Sequence, residues 1–403
     1  MTAVIPSSSS SLRPTTSVRS AKKPSLAALS KPLGATVSNR PRHLISQKRR
    51  SSRAPFLLGR LASVVAGGSD PGGLKLSCIL SFALISFGHC SEIQQRYEFT
   101  QPAMGTLFRI TCYADSQAQG QTAADAAFQR VQALNAICSD YLPDSELIRL
   151  CRAGEMTATQ DLFAVIQRSQ ELAKATDGAF DITVGHYANL WRRAKRKGAL
   201  PTSEQLTKAR LRTGWQQVRL DAGTRRITLA KPGMQLDLGG IAKGYAADAA
   251  LQVLKAKGIA RAVVAASGDL AIGDPPPDAP GWEVKLRTFE APEATDQLVT
   301  LRLKTCGVST SGDLHQFIEI GGQRYSHIID PRTGLGLTER RACSVIAPDC
   351  TTSDALATSL CVLGVDSGMA LLKSLPQVQA RMAEFGKETV TTPGFVEQGR
   401  PRP

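Results

Sequence analysis

The 403-residue sequence predicts an α+β fold: a single large domain of mixed, largely antiparallel sheets with flanking helices. Two observations predict it. Apolar segments with a two-residue period are interspersed with segments of helical period, but without the regular strand-helix-strand alternation that a parallel sheet requires. Short turns rich in Gly and Asp, such as Asp221-Ala222-Gly223 and Gly321-Gly322, separate pairs of strand-like runs, and turns that short join antiparallel neighbours. With 42% hydrophobic residues the chain has enough material for a well-filled core.

Taken in order, residues 99–113 read as strand. Residues 122–138 carry Ala126, Ala127, Val131, Leu134 and Ile137 at helical spacing. A second amphipathic helix covers 161–175 and stops before Asp177-Gly178, and a short third one covers 201–210. Residues 218–220 and 227–229 flank a turn and form a hairpin, and 235–238 add a strand. A helix over 241–257 is stopped by Gly258. Strands follow at 262–266, 282–286 and 298–303, then a hairpin around Gly321-Gly322. After 344–347 come two helices, 353–363 and 367–375. No repeat recurs at solenoid periods.

Charge is distributed unevenly. The formal charge is +15, but residues 1–75 hold 13 Lys or Arg against Asp70 alone, which leaves about +3 for the rest. A solvated basic leader accounts for that, and a nucleic-acid-binding face is excluded as the reason. Residues 1–73, rich in Ser, Pro, Arg and Lys, are expected to be disordered. Residues 74–90 form an apolar stretch too short for a confident membrane span and read as the core of a signal peptide. Cys90 stands where an exported lipoprotein would carry its lipidated cysteine, although Phe87 and His89 fit that motif badly. A signal peptide this far into the chain points to an overextended start or an organellar leader. The first is the reading adopted: a mature start near Cys90 or Ser91, a domain over 91–385, a loose Pro-rich tail over 386–403, and export to the periplasmic face of the inner membrane, with a lipid anchor there as an open alternative. The nine cysteines include no C-x-x-C pair, so neither a zinc site nor a disulfide framework is readable, and Cys112, Cys138 and Cys361 read as small buried hydrophobes.

Two segments carry chemistry. In Thr351-Thr352-Ser353-Asp354-Ala355-Leu356-Ala357-Thr358, a helix brings the oxygens of Asp354 and Thr358 onto one face, where they can hold a hard cation. An N-cap aspartate and an ordinary helix threonine would read the same way, and Thr351, Thr352 and Ser353 are equally good caps. In Leu236-Asp237-Leu238-Gly239-Gly240-Ile241-Ala242-Lys243-Gly244, a strand passes through two glycines into a helix with a lysine on its first turn, a geometry for phosphate or simply a tight turn. It is neither a Walker motif nor the dinucleotide fingerprint. Two further segments, Gly307 to Asp313 and Tyr325 to Gly334, are dense in small polar residues and loop formers.

With these segments in view, the chain resembles the ApbE family, the FAD:protein FMN transferases. The resemblance spans residues 104–375 and rests on six matches in order: Met104-Gly105-Thr106; Tyr141 through Ser145-Glu146; Ala179-Phe180-Asp181 with Thr183-Val184-Gly185; the Asp237 to Gly244 turn; Ser309-Thr310-Ser311-Gly312-Asp313 with His327-Ile328-Ile329-Asp330-Pro331-Arg332-Thr333-Gly334; and Asp354 to Thr358. It implies a Mg2+-dependent enzyme that cleaves the FAD pyrophosphate and passes FMN to a Thr or Ser hydroxyl of an exported redox protein, releasing AMP. By matching position, the metal would be held by the Asp354 carboxylate, the Thr358 hydroxyl and the main-chain oxygens of Gly240 and Ala357. Flavin contacts would come from Met104, Tyr141 stacked on the ring, Ala179, Phe180, Asp181, Asp237, Lys243 and Ile328. His327 would take the proton from the attacking hydroxyl, with Asp330 or a metal-bound water as alternatives, while Asp313 and Arg332 would order loops. Cys151 departs from the asparagine common in the family, which puts flavin affinity in question, and the loop 274–280 is local decoration. A metal-dependent FAD pyrophosphatase and a non-catalytic exported flavin-binding lipoprotein are the alternative functions.

Overall fold

The computed structural model describes residues 36–37, 94–290, 295–313 and 316–395. Apart from Thr36–Val37, a short strand antiparallel to Lys285 and Val284, the leader and signal-like segments lie outside the described residues.

Its centre is an eight-stranded antiparallel sheet. In spatial order the strands are Val390–Thr391, Gln379–Glu384, Arg341–Ala347, Cys306–Gly312, Asp269–Ile272, Ala262–Ala266, Thr106–Ala114 and Gln95–Ala103. The α+β class and the antiparallel pairing stand as the sequence indicates. Seven helices follow in chain order: α1 (Gln117–Cys138), α2 (Glu146–Ala153), α3 (Gln160–Ala175), α4 (Gly185–Lys197), α5 (Ser203–Arg210), α6 (Ala242–Ala256) and α7 (Cys350–Leu372).

The two-residue period of the strands separates two cores. Ala262, Val264 and Ala266 turn toward α1 and α6, whereas Val263, Leu270 and Ile272 turn the other way. There they meet Trp282, Val284 and Leu286 of the hairpin Trp282–Glu290/Thr295–Leu303. Helix α7 lies between α3, α6 and the strands Cys306–Gly312 and Arg341–Ala347. Enclosed in this way, it is long and apolar enough to cross a membrane by composition, yet it is largely buried within the protein and carries a polar face with Ser353 and Asp354.

Several differences from the sequence reading have physical causes. The strand expected over 99–113 is a hairpin of two nine-residue strands, turning at Met104 and Gly105, both at positive φ (49° and 71°). The segment from Gly307 onward, read as a loop from its small polar residues, is an inner strand. Residues 235–238 are extended but pair in no ladder; the Gln235 carbonyl accepts from Gly185 N at 3.2 Å and Asp237 N donates to Ile182 O at 2.8 Å. The two helices expected over 353–363 and 367–375 are present as the two halves of α7, separated by a break at Gly364 (φ 76°, ψ −179°). Arg341 Nη1 donates to the Cys361 carbonyl at 2.9 Å and so satisfies an acceptor next to the break. Part of the tail expected to be loose from 386 is packed: Val390–Thr391 pair with Met382 and Arg381, and Phe395 is buried against the Trp282 hairpin core, while residues 396–403 lie outside the described residues. Helices α2 and α4 were not foreseen.

Candidate functional site

The site is built where α6 and α7 touch. A methyl placed on Gly244 would stand 2.3 Å from the Cys350 carbonyl oxygen and 2.9 Å from Asp354 Cβ, so only glycine permits this approach. Each helix then caps the other. Asp354 Oδ2 accepts from Gly244 N at 3.0 Å in the first turn of α6, whose own N-cap, Ile241, offers no side-chain bond. Asp248 of α6 in turn accepts from Cys350 N (3.0 Å), Thr351 N (2.8 Å) and Thr351 Oγ1 (2.6 Å) at the start of α7. The N-cap of α7 is Asp349, which accepts from Thr352 N at 2.7 Å. Neither Asp354 nor any of Thr351, Thr352 and Ser353 fills that place, and Asp354 lies a turn inside the helix.

Lys243, one residue before Gly244, reaches two carboxylates: Asp269 Oδ2 at 2.5 Å and Asp354 Oδ2 at 3.5 Å. Asp269 follows the turn Ser267-Gly268, where Ser267 sits at φ 62°, and sequence reasoning missed it. Burial would lower the Lys243 ammonium, but Asp269 and Asp354 more than reverse this and hold it above its ordinary value. The Asp354 carboxyl is pushed up to about 7, first by burial and then by the Asp269 charge, against the pull of Lys243 and Gly244 N.

Thr358 follows Asp354 by one turn, and its hydroxyl lies 3.2 Å from Ser311 Oγ. One turn earlier, Ser353 and Ser309 pair through their hydroxyls at 2.9 Å. The small polar residues of strand Cys306–Gly312 therefore hold the ligand-bearing face of α7. Gly240 completes the group: a methyl there would lie 3.5 Å from Thr358 Oγ1 and 3.4 Å from the Phe180 ring. The residues fit a hard cation. The hydrogen bonds and ion pairs of Asp354 among the described residues all fall on Oδ2, leaving Oδ1 for a ligand. One carboxylate, a hydroxyl and the carbonyls of Gly240 and Ala357 are all-oxygen donors. No cluster of three or more His, Cys, Asp or Glu able to hold a metal occurs among the described residues.

Around this centre the expected flavin residues fall in three groups. Tyr141 is 75% exposed at the rim, with the Arg192 guanidinium 4.3 Å from its ring centre. Arg192 also binds Asp140 (2.5 Å) and Asp237 (3.2 Å), so a residue missed from sequence ties Tyr141 to Asp237. The Asp237 carboxyl is raised by burial and by Asp140, while Gly239 N and Arg192 oppose the rise. Ala179 and Phe180 are buried behind Gly240, and Ile328 is buried in the same core. Asp181 faces inward: its oxygens accept from Thr183 N and Thr183 Oγ1 (both 2.7 Å) and from Trp215 N (3.1 Å), so its carboxylate shapes the turn and is occupied within the protein. Met104 packs at the seam of the two helix-side cores. Cys151 Sγ accepts from Leu236 N at 3.3 Å, which ties α2 to the residue preceding Asp237.

His327 follows the hairpin Phe317–Ile320/Gln323–Ser326, and its Nδ1 lies 3.1 Å from the Gln316 carbonyl oxygen. A carbonyl only accepts, so Nδ1 carries the proton and Nε2 keeps its lone pair. The ring is exposed at the surface, with protein packed around its inner sides. That surrounding mass, then the charges of Lys243 and Lys195, lower the imidazole to about 4 and keep it neutral at physiological pH. Asp330, the alternative base, is engaged by Arg332 through N (2.9 Å), Nε (2.9 Å) and Nη2 (2.9 Å). Asp313 accepts from Arg324 Nε at 2.9 Å. Cavities of about 340 Å³ beside the Gly364 break and about 640 Å³ on the outer face of α6 do not gather Lys243, Asp354 and His327, so the chemistry does not belong to them.

The profile of the ApbE family matches residues 104–382. An FAD:protein FMN transferase of Treponema pallidum (strain Nichols) is 33% identical over 355 residues, which cover 81% of this chain and 97% of that protein. Among solved structures, the flavin transferase ApbE from Vibrio cholerae is 28% identical, with a TM-score of 0.66, over 75% of this chain and 98% of that one. The apo flavinyl transferase ApbE of Pseudomonas stutzeri is 29% identical, with a TM-score of 0.65, over 74% and 94%.

Proposed function

We infer the reaction from one premise: this chain belongs to the ApbE family and is an enzyme, an FAD:protein FMN transferase. The finer reading proposed is that FMN passes from FAD to a Thr or Ser hydroxyl of a target redox protein, that Mg2+ is required and that AMP leaves. The observation that carries it is the meeting of Lys243 and Asp354 at 3.5 Å, with Thr358 one turn on.

In the proposed mechanism the barrier is charge, because a hydroxyl oxygen must attack phosphorus in an anionic diphosphate. Mg2+, held by Asp354, Thr358 and the carbonyls of Gly240 and Ala357, would supply charge neutralisation at the bridging phosphates. Lys243, steadied by Asp269, adds a fixed positive charge on the same side. The glycines at 239 and 240 let the backbone come close to the phosphates, and the positive end of the α6 dipole lies on the same side. Tyr141 offers a π-face to the flavin ring, and Arg192 holds it against Asp237. His327 Nε2 accepts the hydroxyl proton as the oxygen attacks. The phosphorus-to-AMP oxygen bond then breaks, leaving a phosphodiester-linked flavin on the target.

Export to the periplasmic face of the inner membrane belongs to the same proposal and rests on residues 74–90, with a lipid anchor at Cys90 as the alternative to a free mature end. Amino-terminal sequencing of the purified protein tests it, with a start near Cys90 or Ser91 expected and Met1 contrary. For the reaction, FAD, Mg2+ and a co-expressed acceptor are combined and a denaturing gel is inspected for protein-bound flavin fluorescence. A fluorescent acceptor band with stoichiometric AMP is expected. Free FMN alone would mean that water is the acceptor and that the enzyme works as an FAD pyrophosphatase.

A further inference from the structure

Helix α4 ends in Trp191-Arg192-Arg193-Ala194-Lys195-Arg196-Lys197 and is closed by Gly198 in the left-handed conformation. Its inner face is buried through Tyr187, Ala188, Trp191 and Ala194, and the Trp191 ring meets the Tyr325 ring at 6.2 Å between centres. The chain from Tyr325 leads two residues on to His327. Lys195 stands one turn beyond Trp191 on the same side of the helix, and its charge is among those that act on the His327 imidazole. On the neighbouring flank, Arg192 carries Tyr141, and beside it Leu142 is 41% exposed. The end of α4 therefore lies beside His327, where the hydroxyl would be delivered.

Four cations at this helix end, Arg193, Lys195, Arg196 and Lys197, are exposed and have no ion-pair partner among the described residues. Cations at a helix C-terminus suit the helix dipole, which accounts for basic character in the last turn. It does not account for four unpaired charges within five residues beside the reacting group, in a chain whose charge beyond residue 75 is only about +3. Elsewhere the site neutralises its charges: Arg192 takes Asp140 and Asp237, and Lys243 takes Asp269 and Asp354.

We propose that the exposed end of α4, through Arg193, Lys195, Arg196 and Lys197, docks the flavin-acceptor protein, and that the acceptor presents acidic residues beside the hydroxyl it offers. This rests on the reading that the hydroxyl arrives at His327. The charges act on encounter and register, drawing an acidic segment toward His327, while Tyr141 and Leu142 offer exposed apolar surface nearby.

The test uses three fluorescein-labelled peptides with one central threonine flanked by Asp and Glu, by Ser and Gly, or by Lys, with binding read by anisotropy on the full chain with FAD and Mg2+. The wild type is expected to bind the acidic peptide at least 10-fold more tightly than the neutral one at 50 mM salt, and to lose that preference at 500 mM. A variant with Arg193→Glu, Lys195→Glu, Arg196→Glu and Lys197→Glu is expected to lose it at both salts, with the KM for FAD within twofold of wild type. The milder pair Lys195→Ala and Arg196→Ala should give an intermediate loss at unchanged melting temperature, which separates docking from folding. Equal binding of the three peptides by the wild type overturns the proposal. So does a KM for FAD that rises in step with the peptide loss, since the ridge would then serve the dinucleotide. Loss of binding to vesicles of 30% anionic lipid with peptide affinity unchanged also overturns it, in favour of a membrane surface. AMP release from FAD is followed in parallel. Its absence from the wild type strikes the reaction reading itself, whereas AMP release without peptide selectivity strikes only the docking surface.

Discussion

Lys243 makes its shortest contact with Asp269, at 2.5 Å, and only a longer one of 3.5 Å with Asp354. The division leaves Asp354 freer for a cation while Lys243 stays fixed, since an ammonium held by two carboxylates has little freedom to turn away from the phosphates. Asp269→Asn should let Lys243 fall toward Asp354, where it would compete with the proposed Mg2+. A drop of about 10- to 100-fold in kcat is expected, smaller than the roughly 10²–10³ lost with a direct charge-stabilising group, together with a higher Mg2+ requirement. Steady-state FMN transfer against Mg2+ concentration measures both, and unchanged Mg2+ dependence would contradict the division of roles.

The Asp354 carboxyl, pushed up to about 7 from its ordinary value near 3.8, makes metal-free stability depend on pH. Between those values the folded chain holds a proton that the unfolded chain releases, so the contribution is full below about pH 4 and is lost as pH rises through 7. The wild type should therefore lose melting temperature relative to Asp354→Asn between pH 5 and pH 8. Added Mg2+ should restore it at pH 8, where the cation takes the place of the proton. A difference between the two proteins that stays constant across this range would remove the buried carboxylate from the metal site.

Arg192 links Tyr141 to Asp237 by a 4.3 Å ring contact and a 3.2 Å ion pair. Arg192→Met keeps the length of the side chain and removes both. The dissociation constant for FAD, read from quenching of flavin fluorescence, should rise about 3- to 10-fold, in keeping with about 1 kcal/mol for a cation–π contact with a partly exposed ion pair. The rate at saturating FAD should change far less. A larger loss in kcat than in affinity would place Arg192 in the chemistry.

The His327 imidazole, lowered to about 4, is neutral across the physiological range, and its Nδ1 is committed to the Gln316 carbonyl. If Nε2 takes the hydroxyl proton, transfer rises with pH up to about 5 and is then level toward neutrality. His327→Asn should cost at least about 10²-fold and abolish that limb. Retention of the limb in the variant would assign the proton to another group.

How much of this was legible in the sequence depends on the reach of each signal. Asp354 and Thr358 were legible because helical period alone stacks them, and the glycines before Lys243 because a tight turn leaves a local mark. Asp269 and Arg192 were not: one is a lone aspartate after a turn, the other one of several basic residues, and only the fold brings them to Lys243 and to Tyr141. Strand Cys306–Gly312 misled for a related reason. Its serines are poor strand formers in isolation, but Ser309 and Ser311 are placed there to meet Ser353 and Thr358, and tertiary context overrides propensity. The true cap of α7, Asp349, and the helix's partner Asp248 about 100 residues upstream stand outside the run Thr351 to Asp354 in which capping offered an alternative reading.

Gly244 offers the sharpest test of the reciprocal capping. A side chain there meets the backbone carbonyl of Cys350 at 2.3 Å, and backbone cannot rotate aside as a side chain does. Gly244→Ala must therefore push α6 and α7 apart, which stretches the 3.0 Å bond from Gly244 N to Asp354 and displaces Lys243, the preceding residue, from Asp269. A stability loss of about 1–3 kcal/mol is expected from overpacking, visible as a lowered denaturant midpoint, with transfer activity falling out of proportion to the unfolded fraction. The control is Gly258→Ala at the far end of α6, where the added methyl meets nothing within 4 Å. Its glycine sits at φ 83°, so some stability is lost there too, but the helix contact is untouched and activity per folded molecule should hold. Equal specific activity in the two folded variants would mean that the closeness of α6 and α7 serves packing alone.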